Sequence, residues 1–117
     1  VLQQQFKKGN ITKIAIPGQT GVTFVDLKEI VFVEANSNYS TLILLDKRKI
    51  VISKTLKDIQ NVLEQQQFLR IHRQYIINLN EVKHFNRNEG LLTMTTGDIL
   101  PVSRLQKDRL IEQYGWL

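Results

Sequence analysis

Cysteine is absent from the 117 residues, and histidine occurs only twice, as His72 and His84. The first absence rules out disulfides, thiolate nucleophiles and thiolate metal sites, and it agrees with a reducing compartment. With so few histidines a zinc site would need carboxylates to complete its ligand set, and neither an HExxH motif nor a helical histidine pair is present. A GxSxG elbow is missing, as is a glycine-rich loop placed after a strand. Catalysis, a metal and a cofactor are therefore not expected. Long apolar runs are missing as well, since no stretch approaches the ~20 residues of a membrane span. The opening VLQQQFKKGN lacks the apolar stretch and small-residue cleavage site of a signal peptide. Together these absences predict a soluble, cytoplasmic domain with no membrane partner.

Acidic residues are in the minority, eleven Asp and Glu against sixteen Lys and Arg, which leaves a formal charge of +5. A polyanion is the partner such a balance favours, and the placing of the charges says more than their sum. Residues 47 to 57 hold Lys47, Arg48, Lys49, Lys54 and Lys57 with no acid, and residues 68 to 88 hold Arg70, Arg73, Lys83 and Arg87 against Glu81 alone.

Residues 1 to 10, with three consecutive glutamines and few large apolar side chains, are expected to be a linker. Residues 11 to 117 form one domain, long enough to bury roughly two-thirds of its unfolded surface. The pattern from Ile11 onward is mainly β, with strands expected at 13–16, 22–25, 30–35, 40–45, 49–52, 82–86, 91–95 and 99–102, each rich in Val, Ile, Phe or Thr. Pro101 cannot donate to a ladder, so the last strand belongs at an edge. Two helices are expected. Thr55 and Asp58 make the first capping pattern, with Leu56, Ile59, Val62 and Leu63 on the inner face. Ser103 and Gln106 make the second, opening a helix that runs to about Tyr114. Arg104 and Lys107 would then place two cations on one face beside a partly positive helix N-terminus, an arrangement that an anion would relieve.

The segment FLRIHRQYIINL, residues 68 to 79, interrupts an apolar run with Arg70, His72, Arg73 and Gln74. A strand that ends near His72, turns, and re-enters the core at Tyr75 accounts for it, leaving Arg73 and Gln74 on an exposed corner. A second polar corner, ANSNYST at residues 35 to 41, lies between two good strands, and its Asn and Ser are also ordinary turn residues. Arg can reach guanine, and Asn or Gln adenine, with paired hydrogen bonds in a major groove. The patches around 38 to 40, 73 to 74 and 104 to 107 contain such donors. The alternative is a basic, β-rich module that binds an acidic protein.

FLRIHRQYIINLNEV, IVFVEANSNYSTLIL and ILPVSRLQKDRL, in their observed order and spacing, resemble the LytTR family of bacterial DNA-binding domains from about Ile11 to Leu110. The resemblance implies an elongated stack of small β-sheets with two short helices, reading double-stranded DNA with loops. It implies base readers in the loop of Asn38, Tyr39 and Ser40, with Ser40 foremost, and at Arg73 and Arg104. Lys54, Gln74 and Lys107 are expected phosphate contacts from charge and proximity in that fold, while His72 and Tyr75 match structural positions. It further implies a transcription regulator acting on repeated half-sites, as a homodimer on DNA and with a receiver domain upstream as in many relatives.

Overall fold

The computed structural model describes residues 11–63 and 67–117, so the reading of residues 1 to 10 as a linker lies outside the described residues. The strands are β1 (Lys13–Pro17), β2 (Val22–Asp26), β3 (Ile30–Asn36), β4 (Tyr39–Leu44), β5 (Lys49–Ile52), β6 (Phe68–His72), β7 (Tyr75–Asn78), β8 (Val82–Asn86), β9 (Leu91–Met94) and β10 (Ile99–Pro101). The helices are α1 (Leu56–Leu63) and α2 (Lys107–Ile111). The strands form an antiparallel ribbon β1-β2, a five-stranded sheet ordered β5-β4-β3-β7-β6, and a three-stranded sheet ordered β10-β9-β8. Pro101 does lie on an edge strand, where its missing donor is harmless.

The five-stranded sheet is the middle of three layers. Because side chains alternate along a strand, Val33, Leu42, Leu44 and Ile76 face one way, where they pack with Ile14, Ile16 and Val25 of the ribbon and Leu56, Ile59 and Leu63 of α1. Phe32, Ile43 and Ile77 face the other way, onto Leu92, Met94 and Leu100 of the small sheet and Leu110 of α2. Burying each such side chain stabilises the fold by about 1.5 to 3 kcal/mol relative to exposure. The middle sheet is therefore apolar on both sides, which explains why β3 and β4 read as continuous apolar runs. A bulge in β3 adjusts the alternation. Ile30 pairs with Leu44 and Phe32 with Ile43, so Val31 is an extra residue and joins Phe32 in the second core. Stacking the layers gives dimensions of 45 × 31 × 24 Å.

Three local expectations are corrected. Val62 is 50% exposed and does not join the inner face of α1, which buries Leu56, Ile59 and Leu63. The Ser103 side chain makes no capping bond; the chain there forms a 3-10 turn, Arg104–Gln106, before a five-residue α2 that ends at Ile111. A helix that short has little macrodipole, and the Lys107 side chain lies over Gly90, its Nζ 3.4 Å from the carbonyl of Arg87. At the first helix the Thr55 hydroxyl does accept from the Asp58 N–H, at 3.3 Å.

Candidate nucleic-acid interface

β3 and β7 run antiparallel with Glu34 opposite Tyr75, so the end of β3 and the start of β7 lie at the same end of the middle sheet. The turn that leaves β3 and the turn that enters β7 are thereby neighbours. In the first, Asn36 pairs with Tyr39 and the connection is Ser37-Asn38, with Ser37 in the left-handed region at φ 52°. In the second, His72 pairs with Tyr75 and the connection is Arg73-Gln74. One backbone bond ties them together, from the Ala35 N–H to the Gln74 carbonyl at 2.9 Å. The turns sit astride β4-β3 and β7-β6, two strand spacings apart, or roughly 10 Å.

Two more segments reach the same end. β5 pairs with β4 so that Ile52 lies opposite Ser40, which delivers Ser53 and Lys54 beside the first turn. On the other flank the Ser103 N–H donates to the Ile71 carbonyl at 2.8 Å, fixing the start of the Arg104 turn against the end of β6. Arg73, Arg104 and Lys54 are all exposed, as are Asn38, Tyr39 and Gln74. The structure thus brings all three polar corners foreseen in the sequence to one end of a rigid sheet. The basic run 47 to 57 does not stay together. Lys47, Arg48 and Lys49 lie at the opposite end of β5, where Asp46 takes the Arg48 backbone N–H at 3.0 Å and its guanidinium at 2.7 Å. Those bonds, the backbone one first, hold the exposed Asp46 carboxyl below its ordinary value.

Ser40 differs from its neighbours. It is fully buried, and its hydroxyl donates to the Lys54 carbonyl at 2.8 Å. Alternation along β4 puts Ser40 in one row with Leu42 and Leu44, facing the α1 layer, so it has no surface from which to touch a base in this conformation. Its position ties the β5 exit to the first turn. Asn38 and Tyr39 are the exposed side chains of that corner, Tyr39 at 44%. Asn36 braces it from within by donating to the Thr41 hydroxyl at 2.9 Å. Lys107, half-buried over Gly90, is the least available of the expected cations.

The second corner is braced by residues to which the sequence alone assigned no contact. The guanidinium of Arg70 donates to the Arg73 carbonyl at 2.6 Å, to Gln60 Oε1 on α1 at 3.1 Å and to the His72 carbonyl at 3.4 Å. The Gln74 N–H donates to His72 Nδ1 at 3.1 Å, and the His72 ring lies 5.8 Å from that of Tyr75. Burial, and then the Glu34 carboxylate 3.5 Å away, push the Tyr75 phenol above its ordinary value. Beside this corner a cleft of about 430 Å³ is lined by Arg70, Arg73, Arg109, Gln60 and Gln106 among others, with no carboxylate among the described residues of its walls. Its chemistry suits an anion. Among the described residues no group of His, Asp and Glu is placed to hold a metal ion, and no helix is long and apolar enough to cross a membrane.

Comparison with known proteins bears on the family and the fold. The family model of the LytTr DNA-binding domain matches residues 20–115. The chain is 33% identical over 106 residues to the CO-responsive transcriptional regulator RcoM of Rhodospirillum rubrum, covering 87% of this chain and 44% of that protein. It is 29% identical over 111 residues to the sensory transduction protein LytT of Bacillus anthracis, covering 88% and 44%. The chain thus spans less than half the length of these relatives. Among solved structures, the LytTr DNA-binding domain of a Bacillus cereus response regulator superposes with a TM-score of 0.73 at 20% identity, covering 91% of this chain and 99% of that one. That likeness shows the fold, a mainly β stack with two short helices. With the family model matching most of its length, the chain belongs to the LytTr DNA-binding domain family.

Proposed function

We propose that this domain is the sequence-specific, double-stranded DNA-reading part of a bacterial transcription regulator, with the corners at one end of the middle sheet entering the major groove. The observation that carries the proposal is the joint placement of the Ser37-Asn38 turn, the Arg73-Gln74 turn, Lys54 and Arg104 on that end. The roughly 10 Å between the two turns compares with a major groove about 12 Å wide. Arg73 and Arg104 serve as base readers through their two-pronged donors. The first corner reads through Asn38 and Tyr39, with Ser40 holding that corner rather than touching a base. Lys54 and Gln74 meet phosphates, and Lys107 supports them from a less accessible position. The domain carries out no catalysis and works in the cytoplasm. Relatives that are sensory and transcriptional regulators, and longer than this chain, support an output role beneath an upstream sensing or receiver domain. In that role two copies of the domain occupy repeated half-sites.

Selection of duplexes from a random pool, followed by salt titration against the selected and a scrambled duplex, tests this. A DNA reader gives a steep fall of log affinity with log salt and a selected-to-scrambled ratio far above one. Equal binding to both duplexes, with a shallow slope, would favour the rival reading in which the basic face meets an acidic protein.

A further inference from the structure

We propose that Arg70 is the positioning residue that aims Arg73, which rests on the reading of Arg73 as a base contact and adds to it the device that holds the guanidinium in place. Two-residue hairpin connections normally use mirror-image turns with positive φ, because these match the right-handed twist of the strands. Among the described non-glycine residues positive φ occurs at Ser37 and Lys47, so the Arg73-Gln74 turn is not of that kind. A turn without that match needs holding by something else. β6 supplies a bulge at Ile71, since Arg70 pairs with Ile76 and His72 with Tyr75. Arg70, just before the bulge, then reaches forward along its own strand to the carbonyls of His72 and Arg73 and sideways to Gln60.

These are charge-assisted bonds from a planar fork, which fix direction as well as distance. They act on the carbonyl of the very residue whose side chain must be aimed. On the far side of the turn the Gln74 N–H is held by His72 and the Gln74 carbonyl by Ala35. Both peptide groups of the tip are therefore fastened, and Arg73 is left with its side chain projecting. An ammonium at position 70 would keep the charge but could not span the same three acceptors. That difference separates aiming from simple attraction to DNA.

The test compares Arg70→Lys, Arg70→Met, Arg73→Ala and the double variant Arg70→Lys/Arg73→Ala. Without DNA, amide hydrogen exchange at Ala35 and Gln74 should quicken by about tenfold or more in both Arg70 variants while the Leu42 amide in the core stays slow. Unchanged exchange at the tip overturns the clamp, whatever the DNA results. With a duplex selected by the parent chain and its single-base variants, Arg73→Ala should lose about 5- to 150-fold of discrimination at one base pair. Arg70→Lys should lose discrimination at the same base pair, and the double variant no more than Arg73→Ala alone. If Arg73→Ala loses that discrimination and Arg70→Lys keeps it, Arg70 does not aim Arg73. If Arg73→Ala keeps every ratio, the base-reading role of Arg73 is the part that fails and the aiming proposal falls with it, while the exchange data still decide whether the turn is clamped. Should Arg70→Met fail to fold, Arg70→Lys decides the outcome alone.

Discussion

Ser40→Ala separates two roles that sequence and structure assign differently. The hydroxyl is buried and donates to the Lys54 carbonyl at 2.8 Å. A hydrogen bond of this kind contributes about 0.5 to 1.5 kcal/mol net, and because Lys54 is exposed its carbonyl can recover a water partner, which keeps the loss near ~1 kcal/mol. For a domain of this size that corresponds to a fall in melting temperature of roughly 4 °C. The alanine also frees the β5 exit from the first turn, so Lys54 and the Asn38-Tyr39 corner lose a common anchor. Binding should then weaken by less than about tenfold, equivalent to ~1.4 kcal/mol, and by similar factors for every duplex. Thermal unfolding followed by circular dichroism, with competition binding against all single-base variants of a selected site, measures both effects. An unchanged melting temperature together with lost discrimination at one base pair would mean that Ser40 turns outward to touch a base, and the anchoring argument would be refuted.

Arg104→Ala should weaken the selected duplex by roughly 1 to 3 kcal/mol and relax preference at a single position with the fold intact, and binding as tight as the parent's would remove it from the readers. Lys54→Ala should weaken all sequences alike and reduce the salt slope by about one; unequal losses across sequences would speak against a phosphate contact. Asn78 is fully buried, donates to the Ile30 carbonyl at 2.9 Å and accepts from the Asn80 N–H at 2.9 Å. Asn78→Ala should cost about 2 to 4 kcal/mol in urea unfolding, because one buried and one part-buried bond go and the buried Ile30 carbonyl is stranded; a loss under ~1 kcal/mol would contradict that. Tyr114 is 38% exposed, and the partial burial of its ring pushes the phenol up to about 12, while its hydroxyl donates to the Leu79 carbonyl at 2.8 Å. Since the unfolded phenol ionises near ~10, this contribution is complete below that pH and declines as pH rises through about 12. The stability difference between the parent and Tyr114→Phe should shrink over that alkaline range, and a difference independent of pH would show that the phenol is not protected.

Much of the architecture was legible because two-sided burial and turn chemistry leave local marks. Apolar stretches bounded by polar turns located eight of the ten described strands, the break inside FLRIHRQYIINL pointed to the other two, and Pro101 marked an edge. The break at Arg73 and Gln74 marked a corner, as did the polar residues after Ala35. The second helix was overdrawn because a capping pattern is a local preference. Backbone bonds of Ser103 to Ile71 and of Gln106 to Ser103 favour a 3-10 turn instead.

Alternation and turn preference are properties of neighbouring residues, so local sequence is enough to say which residues occupy corners and that those corners are polar and basic. That the corners meet is a property of the folded chain, because strand order and antiparallel pairing place the ends of β3, β5 and β6 beside one another across long separations in the chain. Folding also decides the parts played within a corner. Ser40 faces inward because its row belongs to the α1 layer, and Arg70 turns its charge onto backbone carbonyls because a bulge and a helix bring acceptors within reach. Those outcomes depend on distances between segments that no local pattern encodes.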